Sequence, residues 1–391
     1  MLMKEWIFWP EREDFSGELA RLLVSAQEGG ATVSECFLAA SRIDPDDDAS
    51  WHREWKRLAD LNDERGQAAI QNGDTLTAQS NWLRALNYHL AAAFHFGAID
   101  ERYQIALGHA RCSARKYLRH RKPAGEVVTI PWLGDRTLEG YFLPADASLR
   151  SPAVICIGEP GHRKEEFLFK LARHAADRGM SLLAVDLLGD GAGVDLETLI
   201  ARGNLDAAIH RVMDYLAARD DVDEDRIAIY ADGWGSSFVA RGIASDPRFA
   251  AAVCDGGLWE MHERAYLARR AGSIGSALAG SQPIARRIAC PILITIGEQG
   301  WLRPDEVSGM VGQLVASGRD ITLKVFTGLE TAAAQAHADN PTLANEFIFD
   351  WIAARLAGGR ACVKAGRQDE PRRQDLRNPG QSSGKLSQAD S

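Results

Sequence analysis

The sequence lacks the patterns by which several protein classes are recognised. Its six cysteines include no Cys-x-x-Cys pair and no cysteine–histidine spacing of a zinc site. No apolar run approaches the roughly 20 residues that span a bilayer, and charges interrupt the start of the chain where a secretory signal needs an apolar stretch. The net charge of −9 offers no basic surface for nucleic acid. We therefore expect a cytoplasmic protein with reduced thiols, no metal or cofactor, and no nucleic-acid or membrane partner.

The chain nevertheless has enough apolar residues to fold, and its pattern divides it into three parts. It has 391 residues, of which 46% are hydrophobic, more than one typical core requires. Residues 1–122 show helical spacing of apolar residues, as in Trp51, Trp55 and Leu58. Residues 123–357 alternate between strand and helix patterns, and residues 358–391 are too polar to form a core. We predict a helical N-terminal domain, an α/β core and a disordered tail with these boundaries.

The alternation in the second part predicts a mostly parallel sheet with helices on both faces. Because consecutive strands are separated by helices, the strands run in the same direction. A hairpin turning at residues 134–135 adds an antiparallel edge. Strands are predicted at 126–130, 138–142, 153–157, 181–186, 226–231, 250–254, 291–296 and 321–326, with helices at 165–178, 205–219, from 235 onward, 305–317 and 342–356.

The segment IAIYADGWGS at residues 227–236 has the frame of a nucleophile elbow. In that motif, G-x-S-x-G, a strained turn between a strand and a helix lifts a serine above the sheet. Ala231 and Gly235 match the small flanking residues, and Gly233 stands at the serine's position. Since glycine has no side chain to attack a carbonyl carbon, the segment predicts the fold without the nucleophile.

Several segments in the expected order resemble the α/β-hydrolase superfamily, in particular its members with a helical N-terminal domain. This group includes FrsA-like esterases, 2,6-dihydroxypseudooxynicotine hydrolase and fungal polyketide-shortening hydrolases. The matching segments are WLRALNY at 82–88, TLEGYFLP at 137–144, KEE at 164–166, DLLGDG at 186–191 and DW at 350–351. The resemblance implies an α/β-hydrolase fold whose helical domain covers a cleft at the carboxyl ends of the strands. It also suggests a homodimer.

The same resemblance assigns the three catalytic positions of a hydrolase to residues that cannot perform those roles. The nucleophile's position is Gly233. The acid's position in the turn GEQGWLRP, at 297–304, is Gly300, and the histidine's position in FTGLETAAAQ, at 326–335, is Gln335. Glycine can neither attack nor orient a base, and glutamine cannot accept a proton near neutral pH. We therefore predict that the triad is absent.

Relocated groups remain an alternative. Asp232 or Ser236 could be the nucleophile, although Ser236 and Ser237 stand where a hydroxyl commonly caps a helix. His337 lies two residues beyond the expected histidine, and Glu298 could orient it, although a polar turn residue is the simpler interpretation.

Other polar residues are candidates for acid/base chemistry at the cleft. Glu159 and His162 follow the first core strand, where Pro160 has no N–H to donate to an oxyanion and a carboxylate would oppose one. Glu260 and Glu263 follow a later strand. These four, together with Gly158 and Trp234, complete the set of candidate site residues.

Three functions follow as hypotheses. The first is non-hydrolytic chemistry, namely cyclisation, decarboxylation or carbon–carbon cleavage, on a polyketide-like, β-dicarbonyl or aromatic acyl compound. The second is a catalytically inactive scaffold or regulator. The third is a hydrolase of ester or carbon–carbon bonds with relocated groups.

Overall fold

The computed structural model describes residues 7–134, 136–145, 150–158, 163–187, 204–257 and 282–358. Among these residues, no helix is both long and apolar enough to cross a membrane. The side chains of residues 204, 205, 282 and 283 are outside the description.

Five helices come first in the described part of the chain. Side-chain caps fix where several begin: Thr32 accepts a hydrogen bond from the Glu35 amide, Asp47 from Ala49 and Asp100 from Arg102. The helices are α1 (Glu13–Ser25), α2 (Val33–Ala40), α3 (Asp48–Gln71), α4 (Thr75–Ala92) and α5 (Glu101–His120).

An eight-stranded sheet follows, and its strand order is β1-β2-β4-β3-β5-β6-β7-β8. The strands are β1 (Glu126–Pro131), β2 (Thr137–Leu143), β3 (Ser151–Ile157), β4 (Ser181–Val185), β5 (Val222–Asp232), β6 (Ala251–Asp255), β7 (Ile292–Gly297) and β8 (Ile321–Phe326). Strand β2 runs antiparallel to both of its neighbours, and every other neighbouring pair is parallel. The predicted fold class is confirmed, including the hairpin of β1 and β2.

Consecutive residues of a strand point to opposite faces of the sheet. Both faces therefore present apolar side chains, and helices cover both. In β5, Ile229 and Ala231 belong to the core cluster on one face, and Ala228 and Tyr230 to the cluster on the other. The described helices of this part are α6 (Lys164–Lys170), α7 (Ala172–Ala176), α8 (Asn204–Ala217), α9 (Gly235–Ser245), α10 (Gln282–Ala285), α11 (Pro304–Ala316) and α12 (Pro341–Ala357).

Some predicted elements differ in extent from those in the structure. The helix predicted over 165–178 is two short helices, α6 and α7, divided at Leu171, whose φ of −123° departs from helical values. The strand predicted over 226–231 is longer, because β5 begins at Val222. The landmark Asp350–Trp351 lies inside α12 rather than at its end.

The helical region and the sheet share a hydrophobic core. One cluster belongs to the helical region alone and contains Trp51, Trp55 and Tyr88. A second cluster joins Trp82 of α4 to Phe167 of α6 and to residues on one face of the sheet. Burial of such aromatic side chains contributes about 2–3 kcal/mol each, so the helices are held firmly on that face.

A buried carboxylate adds a polar contact at the same junction. Glu28, which follows α1, contacts His174 of α7 at 3.0 Å and accepts a hydrogen bond from Thr342 of α12. Arg173 contacts its other oxygen at 3.3 Å. Burial alone would raise the pKa of Glu28, but the bonds from His174 and Thr342 lower it, so the charged form is favoured.

Candidate functional site

The turn between β5 and α9 has the geometry of the predicted elbow. Strand β5 ends at Asp232, and α9 begins at Gly235. Between them, Gly233 has a φ of +44°, in the left-handed region that glycine adopts without a steric penalty. The Gly233 amide donates to the Asp255 carbonyl at 2.8 Å, which fixes the turn against the end of β6. The structure thus places a glycine at the apex of the turn.

Small residues let neighbouring backbones approach this turn closely. A Cβ added at Gly235 would lie 3.1 Å from the carbonyl oxygen of Gly158, at the end of β3. One added at Gly257 would lie 2.0 Å from the Gly233 carbonyl oxygen and 2.5 Å from Ser236 Oγ. The Gly257 position therefore excludes any side chain unless the turn moves.

Gly300 and Gln335, which the resemblance assigns to the acid and the base, are neighbours in the structure. Gly300 lies in the turn after β7, and Gln335 opens a short 3-10 helix, Gln335–His337, after β8. A Cβ added at Gly300 would lie 2.9 Å from Gln335 Oε1. That oxygen accepts a hydrogen bond from the Trp301 amide at 3.0 Å. The glutamine amide therefore occupies the space beside Gly300.

His337 is buried and contacts acceptors with both ring nitrogens. Its side chain is 1% exposed, and its ring packs edge-on against Phe326. The Nδ1 atom lies 2.6 Å from the Ala332 carbonyl oxygen, and Nε2 lies 3.0 Å from Asp255 Oδ1. The Nε2 contact is an ion pair without the alignment of a good hydrogen bond. Because both ring nitrogens face acceptors, the doubly protonated imidazolium is the form that fits.

Asp255 is the centre of this buried cluster. Its Oδ2 accepts a hydrogen bond from the Tyr230 hydroxyl at 2.6 Å, and its Oδ1 accepts one from Thr295 Oγ1 at 2.8 Å. Burial alone would raise the pKa of Asp255, but the positive charge of His337 lowers it below its usual value. Burial alone would lower the pKa of His337, and Asp255 reverses that effect and raises it. Each member of the pair therefore favours the charged form of the other.

The predicted alternative nucleophiles are also engaged in contacts below the turn. Asp232 is buried, and its carboxylate lies 3.3 Å from Lys170 Nζ. It pairs in register with Asp255, so both side chains point to the face covered by α6 and α12. Ser236 is fully buried and donates its hydroxyl to the Gly233 carbonyl at 2.8 Å. Neither group points into open space at the apex.

The remaining predicted residues have different surroundings. Gly158 immediately follows β3 beside the elbow, and the half-buried Trp234 immediately precedes α9. Glu298 is exposed and accepts a hydrogen bond from the Gly328 amide at 2.8 Å, as a polar turn residue does. Glu159, His162, Glu260 and Glu263 lie outside the described residues.

Asp255, Tyr230 and Thr295 are not among the site residues predicted from the sequence. A signal was present, because each lies at or near the carboxyl end of one of three predicted strands. The register that brings them together depends on strand order: β6 pairs with β5 and β7, placing Asp255 beside Asp232 and Thr295. Spacing along a single chain does not give that order.

A second buried charged cluster lies at the carboxyl ends of β3 and β4. Lys164 Nζ contacts Asp186 at 2.6 Å and Glu165 at 3.3 Å, and the Lys164 amide also donates to Asp186. The Tyr141 hydroxyl donates to Glu165 at 2.7 Å. Burial raises the pKa of Asp186 to about 6 even though Lys164 opposes this. Because the amide and the Nζ atom of Lys164 both contact Asp186, this carboxylate holds the first residue of α6 in place. In a hydrolase of this fold the oxyanion loop would end at this point.

Metal chemistry has no ready set of ligands in the described part of the chain. There, no group of three or more histidine, cysteine, aspartate and glutamate side chains is arranged to hold a metal ion.

Sequence comparison identifies relatives that are named hydrolases, although no family model matches the chain. "Hydrolyase poxO" of Penicillium oxalicum is 26% identical over 358 residues, covering 88% of this chain and 79% of the relative. "20-hydroxy-prefusarin hydrolase FUS2" of Gibberella moniliformis is 28% identical and covers 62% of this chain and 61% of the relative. "Hydrolase LUC6" of a Fusarium species is 31% identical and covers 62% of this chain and 61% of the relative.

Solved structures share the architecture of both regions. 2,6-Dihydroxy-pseudo-oxynicotine hydrolase matches with a TM-score of 0.69 at 20% identity, covering 87% of this chain and 96% of that one. AbyA5 matches with a TM-score of 0.58 at 17% identity, covering 90% and 97%. At these identities the likeness concerns the fold, and in both matches it extends over the helical region.

Proposed function

We propose that this chain, which has the α/β-hydrolase fold and named hydrolases as relatives, acts without a covalent acyl intermediate. Its ligand would be a polyketide-like, β-dicarbonyl or aromatic acyl compound. Its chemistry would be cyclisation, decarboxylation or carbon–carbon cleavage by proton transfer. The observation that carries the proposal is Gly233 at the apex of the turn between β5 and α9, with a φ of +44°. A hydrolase of this fold needs a nucleophilic side chain at that apex.

The contacts of the neighbouring groups support the same conclusion. Gln335 and Gly300 lie together where a base and its orienting acid would be, and neither can move a proton. His337, the nearest histidine in the sequence, has both nitrogens directed to Ala332 and Asp255. A histidine with no basic nitrogen facing the apex cannot activate a nucleophile there.

The alternative of a hydrolase with relocated groups has less support. It requires Asp232 to leave Lys170, or the Ser236 hydroxyl to leave the Gly233 carbonyl. It also requires His337 to break a buried ion pair, and separating such a pair typically costs about 3–5 kcal/mol.

The names of the relatives favour a small organic ligand over a macromolecule. One relative is named for hydrolysis of 20-hydroxy-prefusarin, and the best-matching structure described above is a hydrolase of 2,6-dihydroxy-pseudo-oxynicotine. The proton carriers in our proposal are Glu159 and His162, with Glu260 and Glu263 as further candidates. Gly158 and Trp234 would contact the substrate.

A ligand panel tests the proposal against the inactive-scaffold alternative. Unfolding is followed with aromatic acyl compounds, simple esters and β-diketones such as nonane-2,4-dione. A ligand present at a hundred times its dissociation constant adds about 2.7 kcal/mol to the free energy of unfolding. Stabilisation by the diketones or acyl compounds supports the proposal. No response to any member of the panel supports a scaffold instead.

Conversion of the stabilising ligand, followed by mass spectrometry, tests the chemistry. We expect Glu159→Gln or His162→Ala to reduce turnover at least about a hundredfold, the typical contribution of general acid/base catalysis. Glu306→Gln, an exposed change on α11, is the matched control. Equal rates in all variants would reject the choice of Glu159 and His162.

A further inference from the structure

The orientation of the Gln335 amide is fixed by a backbone donor. Its Oε1 accepts the Trp301 N–H at 3.0 Å, and a backbone N–H can only donate. The NH₂ group must therefore occupy the other position, where Nε2 lies 3.5 Å from the Gly256 carbonyl oxygen. That distance is longer than a good hydrogen bond. The amide thus keeps hydrogen-bonding capacity on its NH₂ side.

Gly300 provides the space for this orientation. A Cβ at that position would be 2.9 Å from Gln335 Oε1 and 3.1 Å from the Gly297 carbonyl oxygen. Any side chain there would displace the amide oxygen or the turn after β7. The lack of a side chain at Gly300 therefore leaves the space that the amide of Gln335 occupies.

The backbone that carries Gln335 is strained and firmly held. The two residues after it, Ala336 and His337, have φ values of +53° and +55°, which are uncommon for residues with a Cβ. Asp339 accepts hydrogen bonds from the Ala333 and Ala334 amides just before it. The His337–Asp255 ion pair anchors the other side. Strain that the surroundings hold in this way is typical of preorganised functional sites.

Among the described residues, the charges near this loop favour an uncharged acceptor. Lys170 and His337 each contact a carboxylate, Asp232 and Asp255 respectively, so these two cations are committed to internal partners. The amide itself carries no charge. A ketone or enol oxygen matches such a donor better than a carboxylate, whose desolvation would require a countercharge.

From these contacts we propose that Gln335 is a substrate-positioning residue, whose amide N–H donates to a ketone or enol oxygen of a β-dicarbonyl ligand. The inference rests on the proposed function, because it assumes that an acyl compound enters this cleft. It narrows the ligand class by naming the donor and the kind of oxygen that it recognises. Gln335 is half-buried and the adjacent Trp301 is 44% exposed, so a ligand can approach the amide.

The isosteric change Gln335→Glu tests the donor separately from the structure. At pH 8 the glutamate keeps an oxygen to accept the Trp301 N–H and replaces the NH₂ group with a second oxygen. Binding of nonane-2,4-dione is measured by titration calorimetry. We expect the dissociation constant to rise at least tenfold, since a donor becomes a repelling acceptor. The unfolding midpoint without ligand should stay close to that of the unaltered protein.

A second variant and a second probe complete the test. Gln335→Met removes the donor without adding charge, and we expect about a five- to tenfold loss of dione affinity. Nonanoate, a carboxylate of the same chain length, should bind the unaltered protein more weakly than the dione. Equal dione affinity in both variants would overturn the role of Gln335 while leaving the proposed function standing. If the unaltered protein binds aromatic acyl compounds but no dione, the role of Gln335 fails and the proposed function stands; if it binds none of these compounds, both proposals fail.

Discussion

At the scale of single residues, the site is defined by which side chains are directed inward. His337 lies two positions from where a catalytic base is expected, yet its two nitrogens contact Ala332 and Asp255. The pKa of His337 is raised and that of Asp255 is lowered, so each holds the other in its charged form. The pair therefore stabilises the loop that carries Gln335, and we assign it a structural role.

The charge on His337 predicts a definite pH dependence. A histidine whose pKa is raised in the folded state stabilises the protein fully below its unfolded pKa, about 6.5. That contribution is lost as the pH rises through the raised pKa. We expect His337→Asn to lower the free energy of unfolding by on the order of 3 kcal/mol at pH 6. The difference should shrink between pH 7 and pH 10, as measured by urea denaturation.

Asparagine is chosen because it tolerates the φ of +55° at this position better than other neutral residues do. His210→Gln is the control. The ring of His210 contacts Ser245, and this residue is distant in sequence from both Asp255 and His337. A destabilisation by His337→Asn that is constant from pH 6 to pH 10 would show that the imidazolium charge is not involved.

At the scale of elements, glycine positions show which helices are in close contact. Gly66 of α3 lies against Trp82 of α4, and an added Cβ would be 2.5 Å from the indole nitrogen. Gly108 of α5 has no atom within 4 Å of such a Cβ. Gly66 is therefore closely packed, whereas Gly108 has free space beside it.

These two positions predict effects of opposite sign. Alanine at a free helical position stabilises by up to about 1 kcal/mol relative to glycine. We therefore expect Gly108→Ala to raise the unfolding free energy. We expect Gly66→Ala to lower it by about 1–3 kcal/mol, because the new methyl group overpacks the contact with Trp82. Thermal or urea unfolding of both variants measures this, and a stabilising Gly66→Ala would contradict the close contact.

Much of this element-level structure could be predicted from the sequence. Helical spacing indicated the long helices, and alternation of strands and helices indicated a parallel sheet. The elbow was also evident, because the strand before Gly233 and the small residues around it are contiguous in sequence. The division of the helix at Leu171 was not predicted. The residues around it have ordinary helical propensities, and the two helices are divided by the backbone conformation of Leu171, which its side-chain type does not indicate.

The candidate site was only partly predictable, and for a physical reason. The resemblance assigned Gly300 and Gln335 to related positions, and the structure brings them together. The pairing of His337 with Asp255 depends on the register of β6 beside β5 and β7 and on the left-handed backbone at Ala336 and His337. Neither has a signature in a single sequence, because alanine and histidine do not ordinarily favour that conformation.

At the scale of the whole molecule, the helical region and the sheet together have the α/β-hydrolase fold. The helical region shares its core with the sheet through residues such as Trp82 and Phe167, and the two solved structures described above match over both regions. The described groups near the elbow are directed to internal partners: Asp232 to Lys170, Ser236 to the Gly233 carbonyl, and His337 to Asp255. The turn that carries the nucleophile in a hydrolase of this fold therefore bears glycine here.

We propose that this protein forms no covalent bond with an acyl or phosphonyl group at the turn between β5 and α9. The most direct measurement is the intact mass of the folded protein after incubation with a fluorophosphonate probe, with an active serine esterase as positive control. We expect no adduct on the protein and complete labelling of the esterase. A stoichiometric adduct that disappears in Ser236→Ala would contradict the claim.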